Sequence, residues 1–185
     1  MSKSLYDLMP QEILVRDSLR LRLLVPDDAS RIYEIFQADP DIQNRVTWTS
    51  GLKTLSDIKE RIQKFSDNDE LRYAIIYEDE IVGYIGAWKD KGWFGVTHPD
   101  DYGYGYFCDP LKRGKGIVTD SAKALMANIE SVVHVKTFSL YTEDSNLASQ
   151  AVARKLGFVR TDETYLEPVL GSTERRYIRT VTSTQ

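Results

Sequence analysis

Cysteine and histidine are nearly missing from this 185-residue chain, which has one cysteine, Cys108, and two histidines, His98 and His134. A single thiol forms no intrachain disulfide, and two histidines far apart supply no tetrahedral zinc set, so the sequence points to no metal. Basic charge is not in excess either: 24 Lys and Arg against 28 Asp and Glu leave a net charge of -4. That balance disfavours a nucleic-acid partner, which needs a basic footprint on the phosphates. Long apolar runs are lacking as well. Ile13–Val15 and Leu23–Val25 are broken within a few residues, which predicts no membrane span. Asp7, Pro10 and Glu12 interrupt the first dozen residues where a secretory leader would be apolar, and the expected setting is the cytoplasm.

What is present reads as one domain, over about residues 14–182, preceded by a flexible arm over 1–13. Leu19, Leu21 and Leu23 alternate with arginines and predict a strand. Ile32, Ile35 and Phe36 recur at helical spacing after Pro26-Asp-Asp28, and a second helix is expected where Thr54 and Asp57 can cap an apolar face of Leu55, Ile58, Ile62 and Phe65. Tyr73–Tyr77 and Ile81–Trp88, joined by Glu78-Asp-Glu80, predict a hairpin. Tyr102–Cys108 predicts an aromatic strand in which Gly103 and Gly105 mark a bulge or a close backbone approach. A helix over Ile117–Glu130, a strand around Phe138–Leu140, a helix over Asn146–Leu156 and two last strands at Phe158–Arg160 and Tyr177–Val181 complete a mixed α/β pattern.

Between the aromatic strand and its helix lie Lys112, Arg113, Gly114, Lys115, Gly116 and Ile117. Backbone N–H groups at a helix start, backed by the positive end of the helix dipole, suit an anion; a sharp turn carrying solvated lysines is the plain alternative. The nucleotide patterns fail. No Lys-Ser/Thr follows a correctly spaced glycine pair, and Thr119 stands where a dinucleotide fingerprint has its third glycine.

The run Leu-Lys-Arg-Gly-Lys-Gly-Ile, residues 111–117, resembles the pyrophosphate loop of the GNAT superfamily of N-acetyltransferases, Gln/Arg-x-x-Gly-x-Gly/Ala, with Leu111 in place of the first Gln/Arg. Asn146-Leu-Ala-Ser149, followed by Leu-Gly-Phe ending at Phe158, resembles the second signature of that family. The opening Leu-Arg-Leu-Arg strand, Trp48 and Gly105-Tyr-Phe107 look most like the branch that acetylates ribosomal-protein N-termini at alanine or serine. The resemblance implies a mostly antiparallel sheet of about seven strands, flanked by about four helices, with splayed central strands.

It also implies a cytoplasmic acetyltransferase that uses acetyl-CoA, without a metal, to acetylate a primary amine on a protein N-terminus, a peptide or a small molecule. Pyrophosphate would sit on residues 112–117, and backbone N–H groups near Phe107 and Cys108 would meet the thioester oxygen. Asn146 would contact pantetheine, or serve only as a helix N-cap. Ser149 would donate to the departing sulfur, or merely pack as a small residue. Glu167, in the loop between the last two strands, is the first choice of base, with Glu163 and Asp101 behind it and a solvated loop glutamate as the plain reading. Tyr104 and Tyr106 would work in the cleft, or, as alternating aromatics on a strand more often do, serve the core. A covalent route through Cys108 is set aside because no histidine is adjacent in sequence. His98 is read as a loop residue, and Trp93 and Phe94, if exposed, would support a homodimer, or their loop would cover substrate. The contrasting reading is an inactive acyl-CoA sensor or assembly module of the same fold.

Overall fold

The structure, a computed structural model, describes residues 4–65, 70–90 and 100–182. Its elements are α1 (Leu5–Leu8), β1 (Glu12–Arg16), β2 (Leu19–Leu23), α2 (Ala29–Ala38), α3 (Leu55–Gln63), β3 (Leu71–Tyr77), β4 (Glu80–Lys89) and β5 (Asp101–Cys108). Then come α4 (Ile117–Val132), β6 (Thr137–Thr142), α5 (Leu147–Lys155), β7 (Val159–Leu166) and β8 (Thr173–Thr180). The strands form one sheet in the order β1-β2-β3-β4-β5-β6-β8-β7, antiparallel except for β5 and β6.

Residues 4–13, expected to form an arm outside the domain, belong to its structure. Leu5, Met9 and Ile13 are buried, and the Tyr73 hydroxyl donates to the Pro10 carbonyl at 2.5 Å. The short apolar segment Glu12–Arg16 is too brief to show an alternation by itself, and only pairing with β2 makes it a strand. Thr54 caps α3 in a reciprocal box with Asp57, as its sequence predicts, although Leu55 stays exposed while Ile58, Ile62 and Phe65 are buried. Glu78 and Asp79 both take positive φ, 53° and 62°, in the two-residue turn of the β3–β4 hairpin.

The sheet separates two cores. On one face Tyr102 and Tyr104 pack with Leu125, Met126 and Ile129 of α4 and with Leu156 and Phe158 at the end of α5. On the other, Trp48 sits among Phe36, Phe65, Tyr84 and Phe107, with ring centres 5.1–6.3 Å apart, and α2 and α3 close over them. β5 runs against β4 without a bulge from Tyr102 to Cys108. Its glycines therefore mark close approach: a Cβ on Gly103 would lie 2.6 Å from Nε1 of Trp88.

Candidate active site

β5 and β6 pair only at Asp101–Thr137, Tyr102–Phe138 and Gly103–Ser139. Beyond these positions the strands part, and a cavity of about 1170 Å³ opens between them. The phase of the β4–β5 ladder decides which backbone groups face the gap. The Asp109 N–H donates to Val82 O at 2.7 Å and the Asp90 N–H donates to Asp101 O at 2.9 Å, so odd residues of β5 turn their backbone groups to β4 and even ones away from it. The Phe107 amide is consequently committed to the ladder opposite Tyr84, which corrects the expectation that it is open; the amides facing the gap are those of Tyr106 and Cys108. The Phe107 ring still lines the cavity.

At the mouth of the gap the chain turns into α4. Gly114 and Gly116 take φ of 80° and 75°, a left-handed conformation that L side chains adopt rarely. Gly116 is the N-cap of α4 and gives it no side-chain cap, so the first N–H groups of a 16-residue helix point outward. Lys112, Arg113, Gly114, Gly116 and Ile117 line the cavity, but Lys115 does not; its ammonium lies 5.7 Å from the Tyr77 ring centre. Arg113 pairs with Asp39 and donates from Nε to the Cys108 carbonyl at 3.1 Å, while Lys112 lies 3.3 Å from Glu80. These contacts position the turn on the ends of α2, β4 and β5.

The far wall is α5. Asn146 is its N-cap, accepting the Ser149 N–H at 3.1 Å, and both residues line the cavity. Capping orients the Asn146 amide without using its NH2 group. Ser149 is buried, and its hydroxyl lies 3.0 Å from that of Tyr106. Burial pushes the Tyr106 phenol up to about 12, so it is protonated near neutral pH and can donate. The two tyrosines of β5 thus divide: Tyr104 is buried beside Phe158, whereas Tyr106 is half-buried and reaches the gap. Only the tertiary placement of α5 distinguishes them, since in the sequence both occupy the same strand phase. Cys108 is buried, which pushes its thiol up to about 11.

Carboxylates also line the cavity. Glu167 is only 2% exposed, not the solvated loop residue of the plain reading; one carboxylate oxygen accepts the Leu170 N–H at 2.5 Å and the other has no hydrogen-bond partner. Glu163 is held 3.0 Å from Arg176 and Asp101 is bonded by Thr137, and neither lines the cavity. Glu174 was not legible as a site residue, lying ahead of the predicted last strand Tyr177–Val181, yet it lines the same cavity as Glu167. Burial, then the charges of Glu167 and Glu143, push its carboxyl up to about 7. His98, Trp93 and Phe94 lie outside the described residues. Among the described residues no group of three or more His, Cys, Asp or Glu could hold a metal ion, and no helix is long and apolar enough to cross a membrane.

A mixed sheet that parts at its parallel pair, in front of an uncapped helix N-terminus, is the frame of an acetyltransferase. Residues 18–159 match the acetyltransferase (GNAT) domain, and the chain belongs to that family. It is 23% identical over 158 residues to a ribosomal-protein-serine acetyltransferase of Escherichia coli (strain K12), covering 82% of this chain and 84% of that protein. Two solved structures share the fold. One is a microcin C7 self immunity acetyltransferase in complex with acetyl-CoA and AMP (22% identical, 94% of this chain and 98% of that one, TM-score 0.76). The other is an aminoglycoside acetyltransferase, AAC(6')-Ib, with ribostamycin and coenzyme A (23% identical, 89% and 94%, TM-score 0.75). The mostly antiparallel sheet with splayed central strands is the one the resemblance implied, with eight strands and five α-helices among the described residues in place of about seven and four.

Proposed function

We propose that this protein transfers the acetyl group of acetyl-CoA to a primary amine, on a protein or peptide N-terminus or on a small molecule, by direct attack of the amine on the thioester. The observation that carries this reading is the parting of β5 and β6 directly in front of the uncapped N-terminus of α4. Acetyl-CoA, when bound, supplies an activated acetyl thioester. The residues fit it. A Cβ on Gly114 would meet nothing within 4 Å and one on Gly116 only the Asp120 carboxylate at 3.6 Å, so the space in front of the turn is open to a pyrophosphate. Residues 112–117 would hold that group through their backbone, with Lys112 and Arg113 adding positive charge, while the Asn146 amide bonds the pantetheine arm.

The Cys108 and Tyr106 amides are the donors for the thioester carbonyl oxygen; one such donor contributes about 2.7–4 kcal/mol where it has been measured. Ser149, backed by the neutral Tyr106 hydroxyl at 3.0 Å, returns a proton to the departing thiolate. Glu167, buried with one carboxylate oxygen unpartnered, faces the amine. Direct attack is favoured over an acetylated Cys108 because burial keeps that thiol protonated at neutral pH. The names of the relatives, a ribosomal-protein serine acetyltransferase and an aminoglycoside acetyltransferase, support an amine acceptor without choosing between a protein and a small molecule. A cytoplasmic setting is part of the proposal.

The reading is tested by calorimetric titration with acetyl-CoA and CoA, beside a Gly116→Glu variant, followed by thiol release with N-terminal serine and alanine peptides, spermidine and kanamycin. Micromolar binding that the variant loses, with turnover of at least one amine, is expected. Binding without turnover of any amine would leave an acyl-CoA-binding module, and no binding by folded protein would remove the cosubstrate altogether.

A further inference from the structure

The cavity carries more carboxylate than one base requires. Glu174, in β8, stands opposite Tyr165 of β7, and one step beyond the last β6–β8 pair, Thr142–Arg175, brings Glu143 opposite Glu174 from the other side. Glu143, Glu167 and Glu174 all line the cavity. Among the described residues none of the three forms an ion pair, because the neighbouring Arg175 is taken by Asp144 and Arg176 by Glu163. Glu167 adds an independent observation: at 2% exposure, one of its carboxylate oxygens has no partner at all. A buried acceptor atom without a donor is costly, and an ammonium supplies the missing N–H.

We propose that Glu167 and Glu174 act as a pair on the acceptor amine, Glu167 holding the ammonium through its unpartnered oxygen and Glu174 taking the proton that the nitrogen loses before attack. This rests on the acetyl-transfer reading and adds a second carboxylate to it. The balance is simple. R-NH3+ gives one proton to the Glu174 carboxylate, which passes it to solvent, and the neutral nitrogen forms the new N–C bond as the C–S bond breaks. The second nitrogen proton leaves with the thiol, so the net products are an amide, a free thiol and one solvent proton.

The two glutamates differ in ways that suit this division. Glu167 is fixed by the Leu170 N–H and buried, which suits it to orienting a cation rather than to exchanging protons with solvent. Glu174 is half-buried, with solvent on one side. The titratable and charged groups facing Glu174 are Glu143 and Tyr141 of the β6 side, Tyr165 and Glu167 of the β7 side, and Arg176 two residues along its own strand, itself held by Glu163. Like charges dominate that set, and a carboxyl held near neutrality is matched to proton uptake at physiological pH.

The test has a binding arm and a turnover arm. In protein labelled with 13C at the glutamate carboxyls, one resonance should titrate near pH 7, vanish in Glu174→Gln, move to lower pH in Glu167→Gln, and move lower again when spermidine is added to wild-type protein. A Glu174 carboxyl that titrates in the ordinary range, or that ignores both Glu167→Gln and spermidine, overturns the pair. With any amine that the wild type acetylates, Glu174→Gln should lower kcat/KM by about 100-fold and abolish its acid limb, with acetyl-CoA binding retained and partial rescue by Glu174→Asp. An unchanged pH profile in Glu174→Gln overturns the assignment of the proton to Glu174. If the wild-type chain turns over no amine, the acetyl-transfer reading fails by itself, and the carbon titration still decides whether the two glutamates share a cation.

Discussion

The contact between Tyr106 and Ser149 shows how chemistry is assembled from residues 43 positions apart. Each hydroxyl can satisfy the other, so deleting one leaves a buried polar atom behind. Tyr106→Phe and Ser149→Ala should each lower kcat by about 10- to 100-fold if the pair returns the proton to sulfur, and the double variant should lose little more than the worse single one, which a double-mutant cycle on single-turnover rates would read. Additive losses would separate the two residues. Glu174 offers a prediction on stability. Its carboxyl is raised to about 7 against an ordinary 4.5, so between those values the fold keeps a proton that the unfolded chain has released. The stabilisation from that proton is full below pH 4.5 and is lost as pH rises through 7. Glu174→Gln should therefore melt higher than wild type at pH 8, by about 1–2 kcal/mol once screening on its solvent side is allowed for, and equal to it at pH 4. Asn146 was legible as a local helix cap, and Ser149 through the resemblance of Asn146-Leu-Ala-Ser149 to the family's second signature; Glu174 was not, because its neighbours Glu143 and Glu167 are brought together by strand pairing.

At the scale of elements, β5 has two jobs that its composition reconciles. Its aromatics fill both cores, while Gly103 leaves room for the Trp88 indole and Gly105 continues that surface. A methyl on Gly103 would overlap Trp88 Nε1, so Gly103→Ala should cost about 1–3 kcal/mol in urea unfolding and shift the tryptophan emission. A melting curve and spectrum identical to wild type would mean that Trp88 is free to move aside. The helices α3 and α4 contrast in their starts: α3 has a capping box and α4 has none. Both starts can be read from sequence, Thr54 with Asp57 in one and glycine in the other. The sequence could not tell whether the bare N-terminus at Gly116 faced solvent or a cavity, because that depends on where β6 and α5 lie.

For the whole molecule, the sheet is joined across its middle by only three β5–β6 pairs, and the two halves otherwise face each other over the cavity. A ligand spanning that gap should stabilise the fold as a unit. At 100 times its Kd, acetyl-CoA should add about 2.7 kcal/mol, roughly 5–10 °C in Tm for a chain of this size, and an unshifted melt at saturating acetyl-CoA would show that it does not bind the folded state. The sequence by itself determined the alternation that makes β2 and β5 strands, the caps that start α3 and α5, and the glycine turn before α4, since each depends on residues within one or two turns of chain. Tertiary structure alone decided that residues 4–13 join the domain, that the Cys108 and Tyr106 amides and not that of Phe107 face the gap, and that Glu174 lines one cavity with Glu167. Those outcomes follow from strand register and burial, which are set between segments distant in sequence and leave no local periodicity to read.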